Sequence, residues 1–139
     1  MQKSVDLGNT VFSNEKKLVL IAGPCVLESY EHSQMMTESL LEITSRLKID
    51  FVYKTSFDKA NRTSINSERG LGIGQSIEIF NKLISEYGIH ILTDIHNVDD
   101  CDNINDHVDI LQIPAFLCRQ TDLFISAAKT NKVINIKKG

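Results

Sequence analysis

The chain has 139 residues, 42% hydrophobic and 24% charged, with 7 Gly, 2 Pro and no Trp, which excludes the disordered, collagen-like and disulfide-rich classes. Fifteen basic against eighteen acidic residues leave a net charge of −3. No global attraction to nucleic acid or to an anionic membrane is expected, and any anion site must be a local cluster.

Residues 1–17 are polar and lack the apolar core of a secretory signal; Gly8-Asn9 reads as a turn between two short extended pieces. No apolar run approaches the roughly 18 residues needed to cross a bilayer, and a cytoplasmic setting is expected. Leu18–Ala22 is a continuous apolar run stopped by Gly23-Pro24, as suits a parallel strand covered on both faces. Ser29 can cap a helix whose apolar stripe is Met36, Leu40, Ile43 and Leu47. A second strand, Phe51–Tyr53, precedes a long polar stretch from about Lys54 to Gly74; loops of that length are often functional. Its Gly70, Gly72 and Gly74 lack dinucleotide-motif spacing and read as turn residues.

Helical periodicity resumes with Ile77, Phe80, Leu83, Ile84 and Tyr87 and ends at Gly88, a favourable residue just past a helix. Strand three is Ile89–Thr93, a short helix spans Val98 to Asn105, and strand four is Val108–Ile113. A helix of about Arg119–Thr130 leads to strand five, Val133–Ile136. Strict alternation with short connections implies an α/β fold of parallel strands with right-handed crossovers. Five strands are a little over half of an eight-stranded β/α (TIM) barrel; an open doubly wound sheet fits the length better.

In either architecture ligands bind at the carboxyl ends of the strands. Those ends carry Gly23-Pro24-Cys25, Lys54 to Ser64, Asp94-Ile95-His96, Gln112 to Arg119, and Lys137-Lys138. Cations crowded on one face repel each other by about 1 kcal/mol or more per close pair, an arrangement suited to an anion such as two phosphates, or a phosphate and a carboxylate. A lone Lys after a strand is commonly surface decoration, and recurrence after strands two, four and five is what argues against that here. Cys25 by itself reads as a small buried residue more readily than as a metal ligand. Cys101 and Cys118 share no CxxC spacing with it and read as packing residues. His96 reads as a satisfied polar residue, and His32, His90 and His107 as surface groups.

Five segments together resemble the 3-deoxy-D-manno-octulosonate 8-phosphate synthase family: Ile21–Ser29, Lys54–Ser64 (KTSFDKANRTS), Thr93–His96, Gln112–Asp122 (QIPAFLCRQTD) and Ile134–Lys138. The resemblance runs along the whole chain and covers about the first half of the family's usual length. It implies the amino-terminal portion of a β/α barrel, in a family that is usually tetrameric. That family condenses phosphoenolpyruvate with arabinose 5-phosphate and water, on the route to lipopolysaccharide. By resemblance, Lys54, Ser56, Lys59, Gln112, Ala115 and Lys137 belong to the phosphoenolpyruvate end. Asn61, Arg62, Thr63 and Ser64 match the sugar-phosphate segment, Asp94 matches an acid facing the sugar hydroxyls, and Arg119 lies in a motif lining the same cavity. Lys59, Asp94 and Lys137 are the implied catalytic groups.

Cys25 matches the metal-dependent branch, so a divalent metal ion is the implied cofactor. Its further ligands, a His, a Glu and an Asp, belong to the family's second half. Thr55, Asn97 and Leu71-Gly72-Ile73 depart from the family pattern. Two other readings remain. One is the related heptulosonate 7-phosphate synthase, which uses erythrose 4-phosphate and whose KPRTS motif lacks a residue found in Lys59–Ser64. The other is a non-catalytic half-barrel that self-associates.

Overall fold

The computed structural model describes residues 3–139. Two short antiparallel strands come first, β1 (Val5–Asp6) and β2 (Val11–Phe12), joined through the Gly8-Asn9 turn anticipated above. Five parallel strands follow in chain order across one sheet: β3 (Val19–Ala22), β4 (Asp50–Lys54), β5 (His90–Asp94), β6 (Ile110–Ile113) and β7 (Val133–Ile136). Helices α1 (Tyr30–Leu47), α2 (Ile73–Tyr87), α3 (Val98–Ile104) and α4 (Thr121–Lys129) connect them. Sequential order with a helix in every crossover is the pattern of a β/α barrel rather than of a doubly wound sheet, whose strand order reverses. The result is a curled half-barrel.

Each strand's two parities face different neighbours. Leu20, Phe51, Tyr53, Ile91, Leu111 and Ile113 pack towards the helices in the main core. Val19, Ile21, Val52, Leu92, Ile110 and Val133 form a second cluster on the concave side, covered at one end by Leu7 and Phe12 from the hairpin. Val52, Leu92 and Ile110 are fully buried there, each contributing roughly 1.5–3 kcal/mol. Among the described residues β3 and β7 are edge strands with one partner each.

Several boundaries differ from the sequence reading. The face of α1 that meets the sheet carries Ser33, Met36, Thr37, Leu40, Leu41 and Thr44, while Ile43 and Leu47 are exposed. Ser33 and Thr44 tolerate burial because their hydroxyls donate to the Ser29 and Leu40 carbonyls at 2.8 Å. Helix α2 starts at Ile73, so Gly74 is helical, while Gly70 and Gly72 do adopt positive φ. Strand β6 starts at Ile110 because Asn105–His107 form a 3-10 turn beyond α3. Another 3-10 turn, Ala115–Leu117, delays α4 to Thr121 and leaves Arg119 outside the helix. Ser29 and Gly88 cap α1 and α2 as expected, through His32 N to Ser29 Oγ at 3.1 Å and Gly88 N to Ile84 O at 2.9 Å.

Candidate active site

The concave parity of the strands ends in a run of polar residues. Lys54 lies two positions beyond Val52, Asp94 two beyond Leu92, Gln112 two beyond Ile110, and Asn135 and Lys137 two and four beyond Val133. Period-two alternation puts all five on the concave side of the carboxyl rim. Register aligns three of them, since Asp94 pairs with Gln112 and Gln112 with Asn135. Backbone bonds continue past the strands and hold the rim in place: Thr55 N to Leu92 O (3.3 Å), Ile95 N to Gln112 O (2.9 Å) and Lys137 N to Ile113 O (3.0 Å).

These side chains are wired together. Asn135 donates to Gln112 Oε1 at 2.8 Å, and Gln112 Nε2 donates to Asp94 Oδ1. Ser56 Oγ donates to Asp94 Oδ2 at 2.6 Å, and Lys59 Nζ donates to Ser56 Oγ at 2.8 Å. Lys59 Nζ also stands 3.9 Å from Asp94 Oδ2. Asp94 and Gln112 are buried, so the satisfied network gives both a single orientation. Above it lies a cleft lined by Lys54, Asp58, Lys59, Asn61, Asp94, His96, Gln112, Pro114, Ala115, Phe116 and Lys137.

Three lysines thus share one cleft with one buried carboxylate. The Lys54 amine is pushed below its ordinary value, first by burial and further by Lys59 and Lys137, with Asp94 opposing. An anion in the cleft would relieve that repulsion. Asp58, also in the lining, is neutralised by the exposed Arg69, whose Nε donates to Asp58 Oδ1 at 2.8 Å and whose presence holds that carboxyl below its usual range.

Not every residue anticipated from sequence joins the cleft. Arg62, Thr63 and Ser64 are exposed on the excursion between β4 and α2, where Arg62 Nε donates to Glu68 O at 3.0 Å. That excursion is pinned at its base by Lys59 N to Arg69 O (2.7 Å) and Gly72 N to Phe57 O (3.1 Å). Arg119 is exposed and does not line the cleft. Cys25 is exposed beside the rim, within electrostatic range of Lys54. Gly23 explains this placement: a Cβ there would lie 1.9 Å from the Lys54 carbonyl oxygen, so only glycine lets the two strand exits touch. The described residues contain no group of three His, Cys, Asp or Glu side chains able to hold a metal ion. One thiol does not make a metal centre.

Two residues of the site escaped the sequence reading, His96 in the cleft lining and Asn135, which bonds to Gln112. Asn135 was detectable only through its register with Gln112, since a lone Asn in an apolar strand carries no signal of its own. His96, read as satisfied, has a buried Nδ1 with no hydrogen-bond partner among the described residues. The other histidines are half-buried rather than on the surface, and His90 Nδ1 faces Asp109 at 3.1 Å. Cys101 is a core residue, whereas Cys118 is half-buried and accepts from Gly139 N at 3.3 Å.

Parallel strands in sequential order, with a cationic cleft at their carboxyl rim, define an α/β protein of the β/α-barrel class whose cleft is suited to anions. The sequence profile of the DAHP synthetase I family matches residues 3–139, and the chain belongs to that family. It is 55% identical over 136 residues to a protein of Brucella anthropi named 2-dehydro-3-deoxyphosphooctonate aldolase, a match covering 98% of this chain and 49% of the relative. Proteins of the same name from Rickettsia typhi and Rickettsia prowazekii are each 54% identical over 139 residues, covering all of this chain and 51% and 50% of the relatives. The chain spans about half the length of the curated relatives it matches.

Proposed function

We propose that this chain carries the phosphoenolpyruvate-binding part, and a portion of the sugar-phosphate-binding part, of an octulosonate 8-phosphate synthase. The observation that carries the reading is the convergence of Lys54, Lys59 and Lys137 on one cleft, over a buried Asp94 held by Ser56 and Gln112. The relatives' names support an eight-carbon product over the seven-carbon one that erythrose 4-phosphate would give. The role of the condensation in lipopolysaccharide synthesis, the cytoplasmic setting and assembly into a homo-oligomer are parts of the same proposal.

The residues present suit that chemistry. Phosphoenolpyruvate brings a carboxylate and a phosphate, and the three lysines neutralise both. In the condensation the enol methylene attacks the sugar aldehyde, water adds to the enol carbon that turns cationic, and phosphate leaves by C–O cleavage. Lysine ammonium groups aimed at these oxygens stabilise charge where it grows. Asp94 can accept from sugar hydroxyls only while Ser56 and Gln112 hold its oxygens in place. Asn61 lines the cleft on the side of the excursion that carries Arg62, Thr63 and Ser64, and those three reach the sugar phosphate only through a change in that excursion or at a subunit boundary. Metal dependence rests on Cys25 alone, and its remaining ligands would have to come from outside the described residues.

Calorimetric titration of the chain with phosphoenolpyruvate tests the reading. Saturable binding that weakens at least tenfold in Lys59→Met is the expected result, and no binding, or binding unaffected by that change, overturns it. Product formation from both substrates is assayed separately with manganese, zinc or cadmium, alone and with the complementary half of a relative. Preference for erythrose 4-phosphate in competition would reject the octulosonate assignment.

A further inference from the structure

Beyond the strand tips, the cleft has one wall whose chemistry the proposed function leaves unused. His96 follows Asp94 by two residues and lines the cleft, its ring held edge-on to Phe57 with centroids 5.5 Å apart and planes at 79°. Only 11% of the side chain is exposed. Nδ1 is sealed from solvent without a hydrogen-bond partner, so the solvent contact of the ring lies on its Nε2 side.

The group nearest Nδ1 is Asp100 Oδ2 at 3.7 Å, too long for a formed hydrogen bond. Asp100 is itself held firmly: Oδ2 accepts from His96 N at 2.8 Å and Asn97 N at 3.3 Å, and Asp100 N donates to Asn97 Oδ1 at 2.9 Å in the capping box that opens α3. Burial works against its ionisation, but its contacts with His96 and Asn97 outweigh that and hold the carboxyl below its ordinary value. An ionised carboxylate accepts and cannot donate, so it favours the imidazole tautomer with the proton on Nδ1. Asp58 also acts on His96 electrostatically, and Lys59 and Asp94 line the same cleft, but none of them reaches Nδ1.

We propose that Asp100 is a positioning residue that holds His96 in its Nδ1–H tautomer, leaving the Nε2 lone pair as a hydrogen-bond acceptor for a hydroxyl-bearing ligand in the cleft. The pair thereby gives the cleft a hydrogen-bond acceptor beside its lysines, selecting for a hydroxylated phosphate over a bare one. The inference goes beyond the proposed function and depends on it only for the identity of the ligand.

Nitrogen NMR of histidine-labelled full chain, above the imidazole titration range, tests the pair directly, with His96 assigned by the signal lost in His96→Gln. The wild-type chain is expected to show mainly the Nδ1–H tautomer. Asp100→Asn should lower that preference about fivefold, the effect of removing one charge about 4 Å from the ring nitrogen, and Asp100→Glu should restore part of it, with folding followed by circular dichroism. An Nε2–H tautomer in the wild-type chain overturns the proposal without any variant, as does a preference unchanged in a folded Asp100→Asn. Arabinose 5-phosphate should shift the His96 Nε2 resonance while inorganic phosphate does not; binding of the sugar phosphate with Nε2 unmoved removes the recognition role. Failure of either anion to bind counts against the proposed function and leaves the tautomer result to decide on Asp100.

Discussion

The concave side of the half-barrel contains two regions built from the same strands and the same side-chain parity. At the floor, Val52, Leu92 and Ile110 are buried under Leu7 and Phe12 of the hairpin. At the rim, two residues further along each strand, Lys54, Asp94 and Gln112 line a cationic cleft. A single step of the period-two pattern, about 7 Å along a strand, separates a region that only stabilises from one that meets ligands. Floor residues contribute by leaving water. Rim residues cost stability unless each polar atom finds a partner, and the hydrogen-bond chain from Asn135 to Lys59 supplies those partners.

By this division, changes at the floor alter folding and spare binding, while changes at the rim alter both. The largest effect is expected for Leu92→Ala, a loss of about 2–5 kcal/mol in urea unfolding, with phosphoenolpyruvate affinity unchanged in the fraction still folded. A binding loss of tenfold there would break the comparison. Gln112→Leu removes the donor to Asp94 and the acceptor for Asn135 at once. It should cost about 1–3 kcal/mol and weaken phosphoenolpyruvate binding as well, because Asp94 loses its fixed orientation.

Lys54→Met should move the two properties in opposite directions. It should raise stability near neutral pH by about 1 kcal/mol, as when a buried charge is replaced by a fitting apolar group, and lower phosphoenolpyruvate affinity. The pH dependence carries the same sign. Burial depresses the Lys54 amine in the folded chain, so the unfolded chain binds more protons between that lowered value and 10.5, and stability rises with pH through this window. The variant should lose that contribution, as urea titrations at stepped pH would show. The smallest change is expected for Phe12→Ala, about 1 kcal/mol for a half-buried ring at the floor, with no effect on the rim.

Much of this division is legible in the sequence. Short apolar runs, two of them stopped by Gly or Pro, located the strands because a parallel sheet is covered on both faces, and the residues at or just after their ends gave Lys54, Asp94, Gln112 and Lys137. The stripe of α1 was misjudged because hydroxyls bonded back into their own helix behave as core residues, which hydrophobic spacing does not register. Asn135 and His96 were missed for a related reason. One acts through a neighbour across the sheet, and the other depends on a carboxylate four residues along in the next helix. Arg62, Thr63, Ser64 and Arg119 stand apart from the cleft because they sit on connections whose course no strand register dictates.

The polar row across β5, β6 and β7 also limits how such a chain can diverge. Adding or deleting one residue within any of these strands would turn Asp94, Gln112 or Asn135 to the opposite side of the sheet and bring a neighbour such as Thr93, Leu111 or Ile134 into the row. The exposed segment between Lys59 and Arg69 carries no such penalty, since its ends are already clasped together. Length variation among homologous chains should therefore collect in that segment, while the spacing within the strands stays invariant.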